Sequence, residues 1–359
     1  MPSAIDIQHR DQLFIGGRWV APARGGRIEL VNPATEEVFT AVAEATEPDM
    51  DRAVAAAREA FDRGPWPRMT HVERGALVAE LARRLEARHG ELAAAWTQQM
   101  GGVASFAPNV IGGGTFQLGY FAGLAGTYAF ETRQPASMGP GQAIIVREPV
   151  GVVAAIAPWN APYAIMTQKI APALVAGCTV IMKPSPETPL EAYIIAECAE
   201  AAGFPPGVIN LVPSHREAAD HLVRHPGVDK VGFTGSTAAG RRIASVCGER
   251  IARVTLELGG KSAALVLDDF PVEQAGPILA GTICTMTGQV CATLSRVIVP
   301  KHRAAALAEA IVAAMAGIRI GDPEDPATVM GPLAMRRQLE RVEGYVARGI
   351  EQGAKLACG

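Results

Sequence analysis

No Cys-x-x-Cys pair and no cysteine–histidine cluster at zinc-ligand spacing occurs in the 359 residues, so neither a metal site nor a disulfide framework is expected. Excess charge of one sign is also missing. The net charge is −3 at pH 7, and without a basic surplus neither nucleic acid nor an anionic membrane is an expected partner. No apolar run reaches the roughly eighteen residues of a membrane span, and Asp6 and Asp11 stand where a secretory leader would need an apolar core. The expected compartment is the cytoplasm, and the expected partners are small molecules or further copies of the chain. Internal repeats and low-complexity tracts are absent too. The 49% hydrophobic and 19% charged content is that of an ordered globular protein, long enough for about two domains and a sizeable core.

The first third reads as short strands followed by helices. "QLFIGGRWV" and "GRIELVNP" have strand character around a glycine turn. Thr46 and Asp49 stand in capping-box spacing ahead of a helix that puts Met50, Val54, Ala57 and Phe61 on one face and stops at Gly64-Pro65. Thr70 and Glu73 repeat the signal before a helix with a Leu77, Leu81, Leu85 stripe.

From Pro149 the pattern changes. Apolar strands, "VGVVAAIAPW", "CTVIMKPS", "GVINLVPS", "KVGFTGS", "RVTLELGG" and "SAALVLDD", alternate with segments of helical spacing that end in glycine. That alternation predicts an α/β fold with a parallel sheet covered by helices on both faces. Ligands of such sheets bind beyond the carboxyl ends of the strands, so the residues just after each strand are the ones to read. The glycine- and proline-rich "QPASMGPGQ" at 134–142 separates the helical part from the sheet and suits a projecting hairpin.

At those strand ends stand Asn160 in "APWNAPY", Lys183 and Ser185 in "MKPSPETP", Gly235 and Ser236 in "GFTGSTAAG", and Glu257 in "TLELGGKS"; Cys291 follows in "TGQVC". Each has a plain structural alternative: local backbone bonding for Asn160, a solvated charge for Lys183, an ordinary helix cap for Ser236, an ion pair for Glu257. Glu257 lies in an otherwise apolar strand, where an isolated buried carboxylate would be costly. A lone cysteine is most often a small hydrophobe, and Cys178, Cys198 and Cys247, in apolar or alanine-rich surroundings, fit that reading. The combination in this order is far more specific than its parts.

The sequence resembles the aldehyde dehydrogenase superfamily of NAD(P)-dependent enzymes in "PWN", "KPSPETPL", "GFTGST", "LELGGKSA", "GQVC" and the later "GDPEDPATVMGPL". The resemblance runs from "FIGGRWV" to "QGAKLACG" and implies oxidation of an aldehyde to a carboxylic acid through a cysteine thiohemiacetal and thioester. It implies Cys291 as nucleophile, Glu257 as general base, Asn160 as the amide that meets the oxyanion, and Lys169 as a lysine that helps the base. It implies Lys183 and Ser185 around the adenosine ribose and Ser236, after Gly235, at the pyrophosphate. Ile156, Pro158, Trp159, Leu258 and Gly259 would line the nicotinamide cleft. The implied fold is a Rossmann-like nucleotide-binding domain over 1–133 and 150–257, an oligomerisation hairpin over 134–149, and a catalytic domain over 258–359.

Departures shape further expectations. An acid expected three positions after Lys183 is replaced by Pro186, with Glu187 following, so NAD is the expected cofactor with NADP tolerated. His215 and Arg216 stand in the loop after the third strand, near the expected adenosine end. Ala161 and Gln168 replace tunnel aromatics and suggest a roomier or more polar entrance. The resemblance implies a continuation beyond "GAKLACG" with a Glu-x-Phe-Gly-Pro segment, further strands and an oligomerisation tail. The expected catalytic domain is therefore incomplete, with apolar surface and sheet edges uncovered. The alternative to the active enzyme is a fragment that retains only nucleotide binding or assembly.

Overall fold

The computed structural model describes residues 5–359. A seven-stranded sheet organises the chain. Its strands are β1 (Leu13–Ile15) and β2 (Arg18–Val20), then β7 (Val152–Ile156), β8 (Thr179–Lys183), β9 (Ile209–Leu211), β10 (Lys230–Thr234) and β11 (Arg253–Glu257), in the order β11-β10-β7-β8-β9-β1-β2. The five strands from β7 to β11 are parallel, while β1 pairs antiparallel with both β9 and β2. Between them in the chain lie two antiparallel ribbons, β3 (Arg27–Val31) with β4 (Val38–Ala43) and β5 (Glu131–Pro135) with β6 (Gln142–Val146). The second is a hairpin over 131–146, with Glu131 paired to Val146, and it overlaps the stretch 134–149 in which a hairpin is expected.

Strand side chains alternate between the two faces, as the two-residue repeat of a strand requires. Val152, Ala154 and Ile156 pack on one side, with α1 (Glu47–Asp62), α7 (Arg216–Arg224) and α8 (Thr237–Glu249). Val153 and Ala155 pack on the other, with α5 (Pro162–Ala176) and α6 (Leu190–Ala201), backed by α2 (His71–Ala87), α3 (His89–Met100) and α4 (Ala107–Leu124). Both predicted capping boxes form: the Thr46 amide donates to Asp49 at 2.8 Å, and the Thr70 amide to Glu73 at 2.7 Å. Met50, Val54 and Ala57 are buried on the predicted face of α1, and Leu81 and Leu85 on α2.

α5 ends at Gly177, whose φ of 100° suits a residue without a Cβ. One of its final carbonyls, Val175 O, takes a cation from α2, whose guanidinium also reaches the Trp66 carbonyl outside the helix. Arg74, buried, donates Nε to Val175 O at 3.0 Å and Nη1 to Trp66 O at 3.3 Å, which suits the negative end of the helix dipole.

Beyond β11 the architecture thins. β12 (Ala263–Leu265) and β13 (Arg296–Ile298) form a separate parallel pair, flanked by α9 (Val272–Cys284) and α10 (Ala304–Ala316); α11 (Arg336–Glu351) follows with no buried residue. No helix among the described residues is long and apolar enough to cross a membrane.

Candidate active site

Chain order reverses around β7, with β8 on one side and β10 on the other. This is where an open parallel sheet leaves a crevice beyond its strand ends, and the predicted residues gather there.

The turn after β7 carries Pro158, Trp159 and Asn160, all half-buried, directly after the buried Ile156 and Ala157. Asn160 is held from both ends. Trp96 Nε1 of α3 donates to its backbone carbonyl at 2.9 Å, and its own Nδ2 donates to the Gln289 carbonyl at 2.8 Å. The amide is thereby aimed at a backbone group two residues before Cys291.

Cys291 lies in a loop with an unusual backbone. Met286 and Thr287 adopt left-handed conformations, at φ of 50° and 58°, each costing a non-glycine residue about 1 kcal/mol or more. Surrounding bonds hold the shape: Thr287 Oγ1 donates to Gly331 O at 3.1 Å and the Ala334 amide to Gln289 Oε1 at 3.0 Å. The thiol is exposed, whereas Cys178, Cys198 and Cys247 are buried as expected. The Gly259–Gly260 turn runs beside it, close enough that a Cβ on Gly260 would stand 3.6 Å from Cys291 O.

Glu257 corrects one expectation. It is exposed, not buried in an apolar strand, because β11 is the edge of the sheet with β10 as its only neighbour there. The desolvation argument for an unusual carboxyl therefore falls away, and its position rests on neighbours instead. Thr234 pairs with it in register, and the Gly235 amide donates to its carbonyl at 3.0 Å. Lys169 of α5 donates Nζ to Thr234 Oγ1 at 2.7 Å. Burial draws the Lys169 ammonium down to about 8, and the charge of Glu257 opposes that shift.

The residues expected on the cofactor side follow the next strands. Lys183 corrects the reading of a solvated strand-end charge: it is 7% exposed, because α1 and α5 cover β8 from both sides. Burial pulls its ammonium down to about 8, against the pull of Glu187. Among the described residues it has no hydrogen-bond acceptor and no carboxylate within 4 Å. Ser185 is buried and donates Oγ to Glu187. Ser236 caps α8, accepting from the Ala239 amide at 3.3 Å, so the first helical N–H groups point past the strand ends. Leu258 packs on the start of α8, where a Cβ at Gly240 would come within 2.5 Å of its Cδ2.

The structure thus joins Asn160 to the Cys291 loop, Lys169 to the Thr234–Glu257 pair, and Ser185 to Glu187. No hydrogen bond links the Cys291 thiol to any of them among the described residues. Three contributors escaped the sequence reading. Thr234 is the last residue of its strand and open to the strand-end rule, whereas Gln289 and Trp96 act through contacts 129 and 64 residues away in the chain, for which the sequence holds no local signal.

Comparison with known proteins gives the family. Residues 19–359 match the aldehyde dehydrogenase family. The chain is 42% identical to geranial dehydrogenase of Castellaniella defragrans, covering 99% of this chain and 73% of that protein. It is 39% identical to 3-succinoylsemialdehyde-pyridine dehydrogenase of a Pseudomonas species, covering 97% and 72%. An alanine mutant of aldehyde dehydrogenase C from Pseudomonas syringae, in complex with NAD+ and octanal, superimposes with a TM-score of 0.94 at 37% identity, over 99% of this chain and 72% of that one. An aldehyde dehydrogenase of Mycobacterium tuberculosis complexed with NAD+ gives 0.93 at 40% identity, over 97% and 72%. With its sequence and its fold matched along almost the whole length, the chain belongs to the aldehyde dehydrogenase family and is an NAD(P)-dependent oxidoreductase acting on an aldehyde.

Proposed function

We propose that the chain oxidises its aldehyde to the carboxylic acid through a covalent adduct on Cys291, with Asn160, Glu257 and Lys169 serving that thiol. The observation that carries this reading is the Asn160 amide, directed by its 2.8 Å bond toward the backbone beside Cys291. NAD(P) would be held across the strand ends by Lys183, Ser185, Glu187, Gly235 and Ser236, with Ile156, Pro158, Trp159, Leu258 and Gly259 around its reactive end. The site fits such a group because the Lys183 side chain is largely buried yet pairs with no carboxylate within 4 Å among the described residues, and the capped end of α8 offers N–H groups to a phosphate. When bound, the cofactor supplies the hydride acceptor.

The remaining work falls to side chains. A thiolate is the side-chain nucleophile best suited to adding to a carbonyl carbon near neutral pH. The oxygen that becomes negative as Cys291 adds is met by Asn160 Nδ2 and the Cys291 amide, and one such donor is typically worth about 100- to 1,000-fold in rate. The acyl group then remains on sulfur as a thioester. Glu257 takes a proton from the water that attacks it, releasing the acid and restoring the thiol. Lys169, fixed on Thr234, keeps a positive charge beside that carboxylate.

In this reading residues up to 133 together with 150–257 form the nucleotide-binding unit and 258–359 the catalytic unit. The ribbon, with Ile144, Ile145 and Val146 exposed, serves self-association, and the setting is the cytoplasm. Mixing the protein with octanal and NAD+ tests the reaction: reduced cofactor and octanoic acid should appear in equal amounts. Reduced cofactor without acid, or none with octanal and other aldehydes, would reject it.

A further inference from the structure

α11 begins with Arg336 and Arg337, and helix chemistry gives no reason for either. Its first turn has no acid and its N-cap is Met335, which offers no side-chain oxygen, whereas the positive end of a helix dipole favours anions. Both arginines instead reach carboxylates on other elements. Arg336 Nη2 lies 3.1 Å from Glu36, and Arg337 Nη2 lies 2.6 Å from Glu187 Oε1. Glu187 receives the Ser185 hydroxyl on its other oxygen, so both oxygens are engaged. Lys183, buried four residues earlier, feels the same carboxylate. Beyond the end of β8, two cations therefore stand around one anion.

In sheets of this class a free acid near the cofactor's ribose bonds its 2′-hydroxyl, and an arginine nearby accommodates a 2′-phosphate. Here the acid is already matched by an arginine, whose planar fork has further N–H groups to offer. Resting on the reading that NAD(P) lies across these strand ends, we propose that Arg337 selects the cofactor: by pairing with Glu187 it cancels the carboxylate's repulsion of a 2′-phosphate and admits NADP alongside NAD. Without Arg337, Glu187 faces the ribose as a bare anion. The guanidinium side chain is 61% exposed and the carboxylate 20%, so salt screens the effect and its size is moderate.

The test uses two fragments of the cofactor, adenosine 2′,5′-bisphosphate and 5′-AMP, titrated calorimetrically against the wild type, Arg337→Ala, Arg337→Lys and the double variant Glu187→Gln/Arg337→Ala. Arg337→Ala should lower the ratio of bisphosphate to AMP affinity about fivefold. The lysine variant should retain most of the wild-type ratio, and removing the carboxylate in the double variant should restore it. The ratio of kcat/KM for NADP and NAD should move in parallel. Equal weakening of both probes in Arg337→Ala, an unchanged ratio, or no recovery in the double variant would overturn the role of Arg337. If neither probe binds the wild type, the placement of the cofactor falls and this inference with it.

Discussion

From Ile7 to Cys247 the chain packs two large cores against the faces of one sheet, including Trp66, Trp96, Tyr163 and Tyr193 at full or nearly full burial. From Leu258 to Gly359 the buried apolar residues are Ala264, Val266, Ala275, Leu279, Ala280, Leu307 and Ala334. In that second region α10, "AAALAEAIVAAMA", buries only Leu307, while Leu265, Leu267, Ile278 and Ile298 are exposed. Most of the residues assigned to the cofactor, Lys183, Ser185 and Ser236 among them, stand on the well-packed part, whereas Leu258, Gly259 and Arg337 share the thin one with the thiol. Rigid support and reacting group thus come from different regions, joined at the Asn160–Gln289 bond and the Arg337–Glu187 ion pair.

The largest expected effect separates the cysteines of the two regions. Cys291→Ala should lower aldehyde oxidation at least about 1,000-fold, because no other group supplies the covalent step. Cys178→Ala, Cys198→Ala and Cys247→Ala lose only a small buried group each and should cost about 1 kcal/mol of stability with turnover largely kept. Steady-state rates beside thermal melts of all four variants decide it, and near-normal turnover in Cys291→Ala would remove the thiol from the mechanism.

Glu257→Gln should cut steady-state turnover about 100- to 1,000-fold while leaving a burst of reduced cofactor, since adduct formation precedes the hydrolysis that needs the base. Rapid mixing reads both phases. If burst and steady state fell together, Glu257 would act on the thiol or shape the site.

These two residues also mark where the sequence was legible. The parallel sheet, both capping boxes and the buried cysteines follow from short-range pattern, because periodicity and caps are set within a few residues. The exposure of Glu257 was not legible, since strand composition does not reveal which strand becomes an edge. Lys183 shows the reverse: a strand-end lysine reads as solvated until helices are laid over both faces of β8. The partners of Asn160 and Glu187 lie far away in the chain, and only the folded topology brings Gln289 and Arg337 to them. The β3–β4 ribbon and the separate β12–β13 pair were likewise matters of long-range pairing rather than local signal.

A stability contrast follows from the unequal cores. Leu81 is fully buried in the main core and Leu279 sits in the small cluster with Val266 and Leu307. Leu81→Ala should lower the main unfolding transition by roughly 2–5 kcal/mol. Leu279→Ala should leave that transition within about 1 kcal/mol and instead speed proteolytic cleavage within 258–359. Equal shifts of the main transition would show that the two regions unfold as one unit.

The smallest expected effect concerns pH at the cofactor end. Lys183 has a folded-state pKa of about 8 against an ordinary 10.5, so between those values the unfolded chain binds more protons than the folded one. By linkage, stability from this group rises with pH across that window: the cost of burying an ammonium is present below about 8 and disappears as the lysine loses its proton. Lys169 is lowered to about the same value and adds in the same direction. If Lys183 meets the ribose as proposed, NAD+ binding should run the other way, because the ammonium makes a charged hydrogen bond that is worth roughly tenfold in affinity. Affinity should therefore fall about tenfold between pH 7.5 and 9.5 in the wild type, and Lys183→Met should be weaker at pH 7.5 with that fall lost. Fluorescence titration with NADH at both pH values, on both proteins, provides the measurement. A wild-type affinity independent of pH, or a Lys183→Met protein that keeps the full pH dependence, would take Lys183 out of the cofactor site and leave its burial as a packing feature of β8.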